Sequence, residues 1–551
     1  MIQQHDPFTI AIIQSGFQAI CDEMSSSLRR TAMSSIIYEA LDFGVGLTDA
    51  SGELVCDGAG LPVFVGILQN AVRSMIDKFG DNVRPGDMFL VNEPTGGGTH
   101  LNDVVAVKPV FAGQTLVAWV AAKAHWGDIG GMVPGGMSPD ATETVQEGLI
   151  LPGVKLYDGD RMVEAVHDII AANSRTPKWT LGDMWAMVSA VRLGADRVGE
   201  LATRYGTDGV TKALEDLIAL GERTTLEGLR ALPAGVYHAE DFLDDGRKLQ
   251  CTVTISPTEF IVDLRGNPEQ GPNAFNNPLI STYVCAGLVL KAITNPTSVA
   301  NGGSFRAMKL LTDKGSIFDP HPDAAVGLYI LPSVYVTELV WKAVAHLSPE
   351  RMAAGHMASI NGIAMFATHP ERNQRIMMAT PDVGGWGASY DRDGQSASGI
   401  FGNGDARNSP AEICEARNGI RVDRYEFHEE PGGEGKFRGG RGICVEYVAR
   451  AADTILADVI QTRTHYAPWP LAGGNEGSLN RSEVERANGE KISGVPLSQI
   501  PLGPGDKVRV WTSHGAGYGN PRERDPKQVR EDIEDGLITL ERAGGVYGYA
   551  E

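Results

Sequence analysis

A mixed α+β protein of several domains is the fold class this sequence predicts, with an N-terminal α/β region that carries the metal-site candidates, a helical middle and a β-rich C-terminal part. Three observations predict it. Apolar residues recur at three- and four-residue steps near the N-terminus and again from about 181 to 232, the period of amphipathic helices. Beyond about 234, and from 425 to 510, short apolar runs alternate with turn residues as strands do. Glycine supplies 67 of 551 residues, too many for a helical bundle. The length exceeds one hydrophobic core. We therefore expect an N-terminal metal-site domain over 1–230, a central α/β domain over 231–420, and a β-rich domain with a terminal helix over 421–551.

Asp6-Pro7 reads as an N-cap followed by proline at the first helical position. Ile10, Ile13, Phe17, Ile20, Met24 and Leu28 then commit one face of a long helix to burial, with Arg29 and Arg30 at its C-terminal end. A strand is expected after Asp42 and a second one through Val55, joined by the turn around Gly52. From Val104 to Phe111 and from Thr115 to Ala122, two apolar runs flank Ala112-Gly113-Gln114 and predict a hairpin. That hairpin returns His125 to the neighbourhood of His100 and Asp103. Two imidazoles and a carboxylate at one point form a ligand set suited to a divalent ion of intermediate softness. Asp128, Gly130 and Gly131 extend the candidate site into a loop expected to be flexible.

Farther on, Val188, Val191, Val198, Leu201, Leu214, Leu217, Leu220 and Leu226 form a buried helical stripe. Near 230 the pattern changes to short strands, and Glu240, Asp241, Asp244 and Asp245 fit a solvated hairpin. Pro278 to Leu347 is strongly apolar and helix-rich. The Gly-rich stretch 380–415 suits backbone lying close to a ligand or an inter-subunit loop. Asp525-Pro526 starts a terminal helix.

Composition excludes several functions. A net charge of −21 and a pI near 5.0 oppose binding to nucleic acid or an anionic membrane surface. The longest apolar runs are broken by Lys108, Lys123, Pro332 and Glu338, so no membrane span is expected, and the first ten residues lack the pattern of a secretory signal. A soluble cytoplasmic protein fits these features. Six scattered cysteines without a CxxC read as reduced core thiols. There is no complete GxxxxGK[ST]; Gly433 to Lys436 has the wrong spacing and lacks the hydroxyl. No GxGxxG after a strand, GxSxG elbow or HExxH helix occurs either.

The runs GGTHLND (97–103), AHWGDIGG (124–131) and PGGMSPDATETVQEGLILPGVKL (134–156) resemble the hydantoinase B/oxoprolinase family, the partner subunit of ATP-dependent cyclic amidases and of the related acetone and acetophenone carboxylases. The resemblance continues through EPGGEGKFRGGRG (430–442) and SHGAGYGNPRERDP (513–526). It implies that Asp42, in the matching LDF motif, joins His100, Asp103 and His125 around one divalent metal ion: Zn, Mn or Fe. Phe64 stands where the family usually has a histidine, a departure in the pocket wall that leaves the implied ligands untouched. Glu143, Gln146 and Glu147 fall in a segment that borders the active region in the family, as partners for the ligands or as an ordinary polar edge. Arg175, in NSRTP, matches an NxRxP motif and is a candidate for binding an anionic substrate or a phosphorylated intermediate through its guanidinium fork; helix capping is the competing role.

The implied activity is hydrolysis of a lactam or hydantoin ring, with the metal held by Asp42, His100, Asp103 and His125. ATP is used by a hydantoinase A-like partner subunit that phosphorylates the amide oxygen, within a hetero-oligomer such as α2β2. The alternatives are a ketone carboxylase subunit of the acetone or acetophenone type and a non-catalytic scaffold with a structural metal.

Overall fold

The computed structural model describes residues 6–404 and 406–550. They divide into two compact units. The first runs through Val236 and adds Thr254–Ser333 and Gly402–Arg407; the second comprises Tyr237–Val253, Val334–Phe401 and the chain from Asn408 onward. Among the described residues no helix is long and apolar enough to cross a membrane.

The first unit opens with the helix Pro7–Thr31, whose Asp6 cap accepts hydrogen bonds from Phe8 N and Thr9 N. All six residues of the expected apolar stripe are buried. Next to it lies a seven-stranded sheet made of β1 (Phe43–Asp49), β2 (Leu54–Asp57), β3 (Met88–Val91), β4 (Asp103–Ala112), β5 (Thr115–His125), β6 (Val154–Asp158) and β7 (Arg161–Met162), in the order β2-β1-β5-β4-β3-β6-β7. Neighbouring strands are antiparallel throughout.

The β4–β5 hairpin forms around the expected turn, in the register that sets Asp103 opposite His125 and Val105 opposite Lys123. Side chains two apart on a strand share a face, so Asp103, Val105, Lys123 and His125 point the same way. That face is covered by the helix Pro62–Phe79, whose Leu68, Ala71, Val72 and Met75 pack on Val105, Val107, Trp119 and Ala121. The helix Pro177–Tyr205 also packs on β4 and β5, burying Met184, Val188 and Val191. Covered on both faces, the hairpin is apolar without alternation, which is why its sequence reads as two continuous runs. Thr207–Ala231 continues the helical stretch; Leu220, expected in the stripe, is 40% exposed.

The second unit holds two antiparallel sheets. One orders Arg375–Thr380, Gly362–Thr368, Thr454–Ile460 and Leu497–Leu502; the other orders Arg421–Phe427, Ile443–Val448, Lys507–Trp511, Arg481–Glu485 and Lys491–Ser493. Met365, Met378, Leu456 and Val459 of the first share one apolar core with Val445, Tyr447, Val484, Val508 and Val510 of the second. The terminal helix Pro526–Glu534 starts at Asp525, which caps Lys527 N. The acidic hairpin differs from its expected solvated form. Asp241 is 7% exposed and its carboxylate takes a two-pronged pair from Arg463 at 2.9 and 2.6 Å, the arrangement a buried carboxylate requires.

Candidate metal centre

His100, Asp103 and His125 meet at the end of the β4–β5 hairpin. Asp103 begins β4, His125 ends β5 opposite it, and His100 sits three residues before Asp103 in the turn that enters the strand. All three are at least 95% buried. His100 Nε2 lies 3.1 Å from His125 Nδ1 and 3.2 Å from Asp103 Oδ1, and His125 Nδ1 lies 3.4 Å from the same oxygen. Metal–ligand bonds of about 2.0–2.2 Å with angles between octahedral and tetrahedral set adjacent donor atoms about 2.8–3.6 Å apart. The three distances fit one face of such a polyhedron.

The two oxygens of Asp103 have opposite surroundings. Oδ2 accepts hydrogen bonds from Thr99 Oγ1 and from Tyr329 OH at 3.0 Å, and it faces Lys123 Nζ at 3.0 Å. Oδ1, turned toward the two imidazoles, is buried without a hydrogen-bond partner, as is His125 Nε2. A purely structural polar cluster would satisfy these atoms, because a bare buried acceptor is costly. The donor set therefore fits a divalent cation: His100 Nε2 and His125 Nδ1, within hydrogen-bond distance of each other, converge with the bare Asp103 Oδ1.

Electrostatics reinforce the arrangement. Burial works to raise the Asp103 pKa, but His100 and Lys123 outweigh it and hold the carboxyl well below its ordinary range. Burial pushes Lys123 down, opposed by Asp103. Lys123 Nζ also donates to Thr99 Oγ1 at 2.8 Å and stands 3.8 Å from the centre of the Phe64 ring, a cation–π contact in a desolvated setting. The departure at Phe64 thus borders the centre, packed on the cation that holds Asp103. Burial and the nearby Asp103 charge push the Tyr329 phenol well above its ordinary value, so its OH remains a donor.

The expected ligands are not placed alike. The compact donor set contains His100, Asp103 and His125. Asp42, immediately before β1, accepts from His125 N through its own backbone carbonyl at 3.2 Å. Its carboxylate is buried, its Oδ1 lacks a partner, and burial raises its pKa against the pull of His125. Asp42 stands beside the three-atom face without being one of its corners. Arg175 is not brought to the centre. Its guanidinium pairs with Asp128 Oδ2 at 3.1 Å and donates to Gly131 O at 2.7 Å, while Asp128 also accepts from the backbone N–H of Gly130, Gly135 and Arg175. The segment expected to be a flexible loop is thereby clasped around a fully buried carboxylate. Arg175→Ala leaves Asp128 short of its cation, so thermal unfolding should show a loss of about 2–4 kcal/mol; a KM increase at unchanged stability would instead restore an anion-binding role.

Behind the centre, His100 Nδ1 donates to Gly327 O at 3.0 Å, which leaves the Nε2 lone pair for a ligand role. Glu147 fixes that carbonyl from the other side, accepting from Gly327 N at 2.5 Å and Val326 N at 3.1 Å. Gln146 and Glu143, by contrast, cap the short turn Thr144–Gln146. Glu147→Ala should weaken metal binding about 10–100-fold through loss of His100 orientation, read by competition with a chelator. Burial raises the Glu147 pKa from 4.5 to about 7. A raised carboxyl pKa means that the folded form binds more protons than the unfolded one between these values, so this group's stabilising share is full below about 4.5 and lost as pH rises through about 7. Glu147→Gln should flatten that part of the metal-free stability profile; an unchanged slope would show that Glu147 does not titrate there.

Sequence reasoning missed Lys123, Tyr329 and Gly327 as parts of the centre. Lys123 had a usable signal: a lone cation in an apolar strand, two residues from His125 and hence on its face. Tyr329 had none, since over two hundred residues separate it from Asp103.

Sheet and hairpin bring together a donor set that fits a divalent cation, and the chain belongs to the hydantoinase B/oxoprolinase family, whose model matches residues 6–521. It is 30% identical to the B component of the putative D-/L-hydantoinase of Pseudomonas sp. (strain NS671), covering 99% of this chain and 95% of that one. The beta subunit of caprolactamase from Pseudomonas jessenii is 29% identical over 98% of this chain and 96% of its own length. The crystal structure of the ATP-dependent caprolactamase from that organism superposes with a TM-score of 0.93 at 27% identity, covering 99% of this chain and 97% of that one. A nucleotide-free acetone carboxylase structure gives 0.92 at 18% identity over 99% and 80% of the two chains, a likeness of fold. The hydantoinase and caprolactamase relatives are subunits by name.

Proposed function

We propose that this chain is the metal-bearing subunit of an ATP-dependent cyclic amidase that opens a lactam or hydantoin ring activated by phosphorylation in a hydantoinase A-like partner. The division of labour within Asp103 carries the reading: one oxygen saturated by Thr99, Tyr329 and Lys123, the other bare beside two imidazole nitrogens. The names of the hydantoinase and caprolactamase relatives support the substrate class. The missing P-loop in a chain of this kind supports placing ATP use elsewhere in a hetero-oligomer such as α2β2.

His100, Asp103 and His125 would hold the cation, with Asp42 as the adjacent carboxylate. A divalent ion bound there supplies Lewis acidity against the negative charge that develops on the substrate oxygen. Gly327 O keeps His100 Nδ1 protonated and its Nε2 free. Lys123, Thr99 and Tyr329 hold Asp103 ionised and fixed in rotation. Phe64 and the covering helix Pro62–Phe79 exclude water from the Lys123 side.

The test is turnover of the co-expressed pair on lactams and hydantoins with ATP, alongside metal analysis and labelled bicarbonate. Ring opening that requires ATP, metal and His100 is the expected result. Label fixed into product would instead assign the carboxylase branch, and full metal content in His100→Ala would remove the proposed centre.

A further inference from the structure

The first unit contains a cavity of about 400 Å³ that none of the proposed metal ligands lines. Its wall comes from the end of β2, the start of the helix Pro62–Phe79, the helix Leu279–Thr294 and the loop after it. Most of the wall is apolar. Two opposite charges break it, Asp57 and Lys291.

These charges are not paired with each other. Lys291 Nζ donates to Asn295 O and to Ser298 Oγ at 2.6 Å, which uses two of its three N–H bonds. The Asp57 carboxylate takes no hydrogen bond from another described residue, and no ion pair joins it to Lys291. Burial pushes Asp57 up to about 7 and Lys291 down to about 8, each only partly relieved by the other. A lone anion entering the cavity would meet Asp57, and a lone cation would meet Lys291. A molecule with one charge of each sign offsets both.

We propose that this cavity binds a free amino acid, with Asp57 receiving the ligand ammonium, Lys291 its carboxylate, and Leu54, Val284, Leu288 and Phe305 covering its carbon chain. The volume lies at the small end of ordinary ligand sites, roomy for an amino acid and tight for a nucleotide. Each charge–charge contact is of the strong, charge-assisted kind. If the ring-opening reading holds with a lactam as substrate, the same class includes the reaction's own product, which would make the cavity a product-sensing site. A hydantoin would open to an N-carbamoyl amino acid, which has no ammonium for Asp57, and amino-acid binding itself does not rest on that reading.

Isothermal titration calorimetry on the full metal-free chain tests it, with α-amino acids from glycine to leucine and ω-amino acids from 4-aminobutanoate to 6-aminohexanoate. At least one of them should bind at a single saturable site. Acetylating its amine, or converting its carboxylate to an ester, should weaken binding about 10-fold or more. Asp57→Asn and Lys291→Met should do the same. The melting temperature of Asp57→Asn should stay near the wild-type value, because no other described residue donates to that carboxylate, whereas Lys291→Met also gives up the bonds to Asn295 O and Ser298 Oγ. His100→Ala should bind as wild type does, which separates this site from the metal centre. No binding by any amino acid at about 10 mM, or equal affinity for the blocked ligands, would overturn the proposal. Should a variant fail to fold, the ligand series alone decides.

Discussion

Asp103→Asn should empty the metal centre and lower turnover of the reconstituted enzyme by about 10³-fold or more, on the order of 4 kcal/mol of transition-state stabilisation. The substitution keeps the shape of the side chain, yet neither orientation of the amide works. With its carbonyl oxygen toward Thr99, Tyr329 and Lys123, the asparagine turns an NH₂ group toward His100 and His125, and two donors replace the lone pair that a cation needs. Flipped, it sets the NH₂ group against the Lys123 ammonium 3.0 Å from the original oxygen, donor against donor. Either way the charge that balances Lys123 is gone. Metal analysis by mass spectrometry and single-turnover kinetics read the two effects together. Full metal occupancy with near-native turnover would show that the bare Asp103 oxygen has another purpose.

That carboxylate also marks how far the sequence alone could be read. The hairpin was legible because Val104–Phe111 and Thr115–Ala122 flank a turn, and the turn fixes the register that sets Asp103 opposite His125. His100 followed from its place three residues upstream. The first helix and the terminal helix were legible from Asp-Pro starts, whose capping hydrogen bonds are made. Less legible were interactions between segments far apart in the chain. The Tyr329 phenol, the Gly327 carbonyl behind His100 and the Arg463 partner of Asp241 all arrive through packing that no local spacing encodes. Arg175 shows the converse. Its type and motif suit an anion, but the fold places a fully buried Asp128 within reach, and the nearer charge takes the guanidinium.

Lys123→Met should separate the stability of the metal-free and metal-loaded forms more than any other single change at the centre. Lys123 is fully buried, and its ammonium balances Asp103 while the half-buried Asp42, whose Oδ1 is shielded from solvent, lies in the same electrostatic neighbourhood. Methionine fills much of the lysine volume and packs on the Phe64 ring that now lies under the ammonium. Loss of shape is therefore small, and loss of charge dominates. Removing one member of a buried pair leaves the other without compensation, at a cost of about 3–5 kcal/mol, and in the metal-free variant two carboxylates then share a site with no cation. A divalent ion restores the balance. Calorimetric melting should accordingly find the metal-free variant strongly destabilised, the loaded variant much less so, and a metal-induced rise in melting temperature larger than in the wild type. Equal metal-induced shifts in the two proteins would mean that Lys123 and the cation do not compensate the same negative charge, and that the ion, if bound, sits away from Asp103.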